Sequence, residues 1–133
     1  RRFRERLPGM RAKHKQPRRM SFALTIDQIL ARTKTVTRRT GWRELRAGDE
    51  LLAVDRARGV PHSAQRVLAR LRVLSVERAR LFTMLERSDW LDDAAKEGFP
   101  ELSAEGFVAM FCRAFSCDET IDVARIEFEY IDQ

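Results

Sequence analysis

Hydrophobic and polar positions alternate along two long stretches of the chain, which predicts a protein rich in β-strands. The stretches are QRVLARLRVLSVERA, residues 65–79, and IDVARIEFEYI, residues 121–131. Alternation of this kind is typical of strands with one buried face. The first stretch also places Leu68, Leu71 and Leu74 at helical spacing, so a helix is the alternative there.

Shorter segments predict three further strands and three helices. The strands are expected at MSFAL, TKTVTRR and RAGDELLAVD, which span residues 20–24, 33–39 and 46–55. Thr25 followed by Gln28 resembles a capping box, which would open a helix over IDQILA. A short helix is predicted in SDWLDDAAKEGF, with Ser88 or Asp89 as its cap and Gly98 as its stop.

The last predicted helix lies in LSAEGFVAMFCRAF, where Ser103 is the expected cap. It carries an apolar stripe of Phe107, Met110, Phe111 and Ala114, which we interpret as core rather than as ligand contacts. Strand, helix, several strands, two short helices and a final strand follow one another. This order indicates an α+β fold around a strongly curved sheet or small barrel with short flanking helices. Parallel βαβ repetition is absent, which disfavours a Rossmann-type fold.

Length and charge refine this picture. The chain has 133 residues, enough for one domain, and a net charge of +6 that is unevenly distributed. Residues 1–20 hold nine basic residues and one acidic residue, with two prolines and few apolar side chains. We therefore predict a flexible basic arm over residues 1–20 and a folded domain over residues 21–133.

The folded part is itself dipolar in charge. Residues 21–76 contain eleven basic and five acidic residues, whereas residues 77–133 contain six basic and fourteen acidic ones. A polyanion would meet the first half. A protein-interaction module whose acidic second half recruits a basic partner is a further possibility.

The sequence shows no pattern typical of a metal site or of a membrane-spanning segment. Cys112 and Cys117 lie five positions apart and are too few for a structural zinc site, and His14 and His62 show no ligand spacing. We predict no metal and no other cofactor. No apolar run approaches the roughly 20 residues needed to cross a bilayer, and the Arg-rich start lacks the apolar core of a secretory signal. We therefore expect a cytoplasmic protein with no membrane partner, and leave the oligomeric state open.

The segment ARTKTVTRRTGW, residues 31–42, concentrates the candidate chemistry. It gathers hydroxyl and cationic side chains at Thr33, Lys34, Thr35, Thr37, Arg38 and Arg39. Such a run is either a solvated edge strand or a surface that holds phosphate or carbonyl oxygens. Six basic residues lie between Arg32 and Arg46 against one acidic residue, Glu44. Trp42 and Arg43 follow the run, and a tryptophan there could stack on a base.

Several segments, taken in order, resemble the ASCH family of the PUA-like superfamily. They are MSFALTIDQILARTKTVTRR, RAGDELLAV, EGFPELSAEGFVAMF and VARIEFEYI. The resemblance implies a small β-barrel whose cleft is lined by the Lys-Thr-x-Thr-Arg segment and by the acidic residue before Gly-Phe. It also implies an activity, since members are proposed as RNA-binding modules, some hydrolyse the amide of acylated cytidine nucleosides, and others are described as ribonucleases.

Carried over by position, the resemblance assigns three residues to catalysis. Lys34 matches the catalytic lysine of the amidohydrolase members, Thr37 their nucleophilic threonine and Glu97 their glutamate. In an extended strand Lys34 and Thr37 would point to opposite faces, so a catalytic pairing requires a bulge or turn between them. The alternative for Glu97, Gly98 and Phe99 is a helix stop with Phe99 docked in the core.

Two hypotheses follow. The first is a module that binds RNA or a nucleotide-like ligand through Thr35, Arg38, Arg39, Trp42 and Arg43. The alternative is a small hydrolase, acting on acylated cytidine nucleosides or on RNA, with Lys34, Thr37 and Glu97 as the catalytic set. Both hypotheses predict that Lys34, Thr37 and Glu97 converge on one cleft.

Overall fold

The two long alternating segments form neighbouring strands at the centre of the sheet. A computed structural model of the chain describes residues 17–132. Its sheet has the strand order β1-β3-β4-β5-β2, in which β1 and β3 are parallel and the other pairs antiparallel. The strands are β1 (Arg18–Ser21), β2 (Val36–Arg39), β3 (Glu50–Val54), β4 (Val67–Arg80) and β5 (Asp122–Ile131). The predicted strand over residues 65–79 is confirmed, and the helix alternative there is wrong.

A bulge in β4 curls the sheet. The pairing of β4 with β5 shifts register between Val73 and Ser75, where one extra residue, Leu74, is left exposed. Because of this extra residue, Val73 and Val76 both face the same core, although they are three positions apart. A bulge bends its strand and increases its twist. The sheet is accordingly a curled half-barrel, and the predicted α+β class is confirmed.

The two faces of β5 serve two hydrophobic cores. On one face Ala124, Ile126 and Phe128 join a first core, and on the other Val123 joins a second core. The first core also contains Met20, Phe22, Ile29, Leu45, Leu51, Ala53, Leu71 and Val73. The second core contains Leu81, Met84, Trp90, Ala94, Phe107, Val108 and Phe111.

Three α-helices and three short 3₁₀ turns surround the sheet. The helices are α1 (Ile26–Leu30), α2 (Asp93–Lys96) and α3 (Ala104–Phe115), and the turns span His62–Ala64, Leu81–Leu85 and Ser88–Trp90. The helix predicted within residues 88–99 is therefore split into a 3₁₀ turn and α2, and Arg87 rather than Ser88 or Asp89 precedes it.

Of the helix caps predicted at Ser103 and Thr25, the first is confirmed and the second is wrong. Ser103 caps α3, since its hydroxyl accepts a hydrogen bond from the amide of Gly106 at 3.0 Å. The capping box at Thr25 is wrong: the Thr25 side chain makes no capping hydrogen bond, and the Gln28 amide instead donates to the carbonyl of Gly98. Ala114 is exposed, so the apolar stripe of α3 ends at Phe111.

The fold begins earlier in the chain than the sequence suggested. β1 starts at Arg18 and pairs with β3 from Leu51, so residues 18–20 of the predicted arm belong to a strand. Ala23 and Leu24, predicted as strand, lie in a turn. The rest of the predicted arm, residues 1–16, lies outside the described residues. In the described range, no helix is long and apolar enough to cross a membrane.

Candidate functional site

Backbone hydrogen bonds fix the segment that leads into β2. The amide of Thr35 donates to the carbonyl of Lys96 at 2.8 Å, and its carbonyl accepts from the amide of Phe128 at 3.0 Å. The hydroxyl of Tyr130 donates to the carbonyl of Lys34 at 2.6 Å. These bonds tie residues 34 and 35 to both α2 and β5, so the Lys34 side chain is held beside the end of α2.

Gly98 ends α2 and sets the direction of Glu97. Its φ of +105° lies in the left-handed region, and its amide donates to the carbonyl of Ala95 at 2.9 Å. A Cβ at this position would lie 2.8 Å from Cγ of Gln28, which leaves room for glycine alone. The predicted helix stop is confirmed, and it places Glu97 against Lys34.

Lys34 and Glu97 form a buried ion pair. Nζ of Lys34 lies 3.0 Å from Oε1 of Glu97 and donates to the backbone carbonyl of the same residue at 2.7 Å. Lys34 is 3% exposed and Glu97 is 2% exposed. Burial lowers the pKa of Lys34, whereas the negative charge of Glu97 raises it. The nearby positive charges of Arg39 and Arg38 lower this pKa further.

Glu97 continues this pair into a longer network. Its Oε2 accepts from Arg38 at 2.9 Å, and Arg38 donates with its other terminal nitrogen to Asp93 at 2.5 Å. Asp93 also binds Arg125, at 2.6 Å and 2.9 Å. We call Lys34, Glu97, Arg38, Asp93 and Arg125 the buried ionic chain.

Asp93 stays ionised in this chain, and an aromatic ring flanks its arginines. Burial acts to raise the pKa of Asp93, but hydrogen bonds from Arg125 and Arg38 outweigh it and hold the pKa below its ordinary value. The Trp90 ring lies 5.1 Å from each of the two guanidinium groups. Cations over a tryptophan face are attracted by its ring quadrupole, so Trp90 supports both charges.

Thr37 and Arg39 lie on the opposite face of β2 from Arg38. Arg38 pairs in register with Arg125 on the side of the second core, whereas Thr37 pairs with Ile126 and Arg39 with Ala124 on the side of the first core. Nε of Arg39 donates to Oγ1 of Thr37 at 3.0 Å. Within residues 17–132, Thr37 makes no hydrogen bond to Lys34 or Glu97. The structure thus brings Lys34 and Glu97 together and leaves Thr37 outside their hydrogen bonds.

Arg39 is half-buried over an aromatic ring. Its guanidinium carbon lies 4.7 Å from the ring centroid of Phe22. Burial lowers the pKa of Arg39 to about 10, and the charge of Glu97 opposes this, so the guanidinium remains charged at neutral pH. Lys34, Arg39 and Glu97 are close enough for their charges to influence one another, which places Arg39 at the margin of the buried ionic chain.

The other predicted ligand contacts lie in different places. Thr35 is half-buried and engages its neighbours through its backbone. Trp42, at φ +55°, packs against the first core, and the guanidinium of Arg18 lies 4.2 Å from its ring centroid. The Arg43 side chain is 70% exposed and lies 3.8 Å from Asp122. We call Arg18, Trp42 and Arg43 the loop patch.

Asp93 and Arg125 are members of the candidate site that the sequence does not predict. Arg125 does carry a local signal, because it interrupts the apolar positions of VARIEF while lying in a strand with both faces covered. Asp93 has none, since it is one of several acids in SDWLDDAAKEGF. No group of three or more His, Cys, Asp or Glu that could hold a metal occurs among the described residues.

Solved structures share this architecture. Protein EF3133 from Enterococcus faecalis V583, assigned to the family DUF984, matches with a TM-score of 0.60 at 16% identity, covering 90% of this chain and 83% of that chain. The hypothetical protein PH0355 matches with a TM-score of 0.52 at 18% identity, covering 86% of this chain and 97% of that one. An ASCH domain from Lactobacillus crispatus JV V101 gives a TM-score of 0.48 at 15% identity, covering 80% of this chain and 70% of that one.

These likenesses define a fold. This chain shares the fold of EF3133 and PH0355, and the ASCH-type fold that the sequence resemblance predicted is confirmed. No protein-family model and no curated protein sequence matches the chain.

Proposed function

We propose that this chain binds RNA or a nucleotide-like ligand, with Arg39 and the loop patch as its contacts. The observation that carries the proposal is a surplus of positive charge around β2. Four cations, Lys34, Arg38, Arg39 and Arg125, lie in or beside the buried ionic chain. Within the described range they face three carboxylates: Glu97 and Asp93 in the chain, and Glu127, which lies 3.5 Å from Arg125 and is partly exposed.

Among the described residues, Arg39 is the member of this group that forms no ion pair with a carboxylate. A guanidinium carries five N–H donors in a fixed fork. In the part of the chain that the structure describes, Arg39 uses one of them, Nε, and uses it on the neutral hydroxyl of Thr37. The terminal donors suit a phosphate oxygen, which an arginine can bind bidentately.

The loop patch supports the same ligand class. Trp42 is half-buried and already has a guanidinium against one face, and Arg43 is largely exposed. A tryptophan ring can stack on a base of any sequence, and surface arginines contact phosphates. This combination fits recognition of a single-stranded or nucleotide-like ligand better than recognition of a regular duplex.

The test is binding of a fluorescent single-stranded RNA oligonucleotide, followed by anisotropy at several salt concentrations. We expect native binding to weaken with salt, and Arg39→Gln to lower affinity about tenfold, which corresponds to the loss of one charge-assisted contact. Arg66→Gln is the matched control, since it removes an equal charge from an exposed arginine and should change affinity less than about twofold. Equal losses in both variants would contradict the proposed contact.

A second candidate, hydrolysis of acylated cytidine nucleosides or RNA, is favoured by the Lys34–Glu97 pair. Burial makes the Lys34 amine easier to deprotonate, and a neutral amine beside a carboxylate is a suitable general base. Thr37 would then need to leave Arg39 and turn towards that amine. Turnover of either substrate by the native protein, lost in Thr37→Val and retained in part by Thr37→Ser, would support this function. Absence of native turnover, or full activity in Thr37→Val, would refute it.

A further inference from the structure

A shallow groove of about 380 Å³ lies beside α3 and shares no residue with the buried ionic chain. Its lining comes from the Leu81–Leu85 turn, from α3 and from the loop that leads to β5. The apolar part is formed by Leu85, Val108 and Ala109, with the two thiols of Cys112 and Cys117 beside them. The polar part is formed by Glu105, Asp118 and Glu119.

The groove is acidic and carries no basic residue in its lining. Within residues 17–132, none of its three carboxylates forms an ion pair with lysine or arginine. Asp118 accepts hydrogen bonds from the amide and the hydroxyl of Thr120, which hold its pKa below the ordinary value, so it is ionised at neutral pH. Unpaired carboxylates around an apolar floor repel phosphates and attract cations.

The thiol of Cys112 adds no charge to the floor of the groove. Burial raises the pKa of Cys112, and the neighbouring Cys117 adds to this. A thiol with a raised pKa is protonated at neutral pH and behaves as a small apolar group. The groove therefore combines a neutral floor with a negative rim.

We propose that this groove docks a basic peptide segment of a partner protein. One apolar side chain of the segment would sit against Leu85, Val108 and Ala109, and flanking lysines or arginines would meet the carboxylates of Glu105 and Glu119. This is the pattern by which apolar anchors give affinity and surrounding charges give selectivity and speed of association. The groove shares no residue with the proposed ligand site, so the two can be occupied independently.

Titration with a short fluorescent peptide, a Phe-Leu pair flanked on both sides by arginines, tests the proposal. We expect saturable binding to the native protein and at least about a fivefold loss in Glu105→Gln/Glu119→Gln, because two attractive charges are removed. The matched control is Glu44→Gln/Glu101→Gln, which removes the same charge from exposed positions outside the groove and should bind as the native protein does. Equal weakening in both double variants indicates general charge attraction and overturns the proposal, as does absence of saturable binding.

A second variant tests the apolar floor separately. Ala109 is exposed on α3, so Ala109→Arg should fold normally, as circular dichroism can verify, while its long cationic side chain occupies the groove. We expect this variant to lose peptide binding, and we expect bound peptide to slow alkylation of Cys112 and Cys117 in the native protein. Unchanged alkylation overturns the proposed location. A native dimer that Ala109→Arg converts to a monomer assigns the groove to a second copy of the chain and also overturns the proposal.

Discussion

Asp93 binds Arg125 through both of its carboxylate oxygens, at 2.6 Å and 2.9 Å, and so joins α2 to the centre of the sheet. Its side chain is fully buried, and it holds Arg38 of β2 at the same time. Removing one partner of a buried pair leaves an uncompensated charge, which costs more than the pair itself contributes. Asp93 is therefore the residue on which the position of α2, and with it Glu97, depends most.

Asp93→Asn should destabilise the protein by about 3 to 5 kcal/mol, because Arg38 and Arg125 lose their shared carboxylate in a buried place. Urea unfolding followed by tryptophan fluorescence measures this. Asp92→Asn is the control, since Asp92 is the exposed neighbour and makes no capping hydrogen bond with its side chain. It should change the free energy of unfolding by less than about 0.5 kcal/mol. Similar losses in both variants would show that the buried ion pairs are not the cause.

Glu97→Gln should be more damaging than Lys34→Met. In Glu97→Gln the Lys34 ammonium keeps its desolvation but loses its countercharge, which costs about 3 to 5 kcal/mol. Lys34→Met removes the desolvated charge itself and leaves Glu97 paired with Arg38, so the loss should be smaller. Denaturant unfolding of the two variants ranks them directly. A larger loss in Lys34→Met would contradict the account of this ion pair.

The Glu97→Gln variant should also show a distinct pH dependence. Glu97 raises the pKa of Lys34, so without it that pKa falls further below its ordinary value of 10.5. Between the folded and unfolded pKa values the unfolded chain binds more protons, so stability rises with pH in that range. The destabilisation measured at neutral pH should therefore diminish as the pH approaches 10.5.

Gly98→Ala should destabilise the fold more than Gly59→Ala. Both glycines have positive φ, +105° and +73°, so each substitution places an L-residue in the left-handed region at about 1 to 2 kcal/mol. A Cβ at Gly98 also lies 2.8 Å from Cγ of Gln28, whereas nothing lies within 4 Å at Gly59. This contact should add about 1 to 3 kcal/mol to the destabilisation caused by Gly98→Ala, as measured by thermal or denaturant unfolding. Equal effects would mean that Gln28 moves aside freely.

Tyr130 is the only tyrosine in the chain, so tyrosinate absorbance reports its ionisation alone. Burial raises its pKa to about 12, opposed by Arg32, and its hydroxyl donates to the carbonyl of Lys34. The folded protein should therefore titrate near pH 12 and the denatured chain near pH 10.

The same shift fixes the sign of an alkaline stability change. Because the folded pKa lies above the unfolded one, the contribution of Tyr130 is fully present below pH 10 and is lost as the pH rises to about 12. Tyr130→Phe should cost about 1 kcal/mol at neutral pH through its hydrogen bond and remove this alkaline loss. A folded-state titration near pH 10 would show that the hydroxyl is not buried as described.

The strands could be predicted because their cause is local. The alternation in residues 65–79 and 121–131 follows directly from the burial of one strand face. Gly98, which ends α2, and Ser103, which caps α3, each act on residues within one helical turn. The capping box failed for a reason that the sequence does not contain. Gln28 reaches the carbonyl of Gly98, 70 positions away, and that bond exists only once α1 and α2 are packed together.

In the candidate site, too, some residues could be predicted from the sequence and others could not. Lys34 and Glu97 were identified through a family resemblance, and the structure brings their charged groups within 3.0 Å. The sequence predicts Arg38 as a ligand contact, because consecutive arginines indicate an exposed cationic surface. Its side chain is instead 1% exposed and bound to Asp93, a partner 55 positions away that no local pattern singles out. Strand alternation separates it from Arg39, which lies on the other face.

The side-chain Nε–H signals of Arg39 and Arg38 in an NMR titration with RNA test the central claim most directly. The two arginines are neighbours in sequence, but one has terminal donors that no described residue engages and the other is enclosed in ion pairs. Our account predicts that RNA shifts the Arg39 signal in a saturable manner and leaves the Arg38 signal nearly unchanged. RNA binding that leaves Arg39 unmoved, or that moves both signals equally, would contradict it.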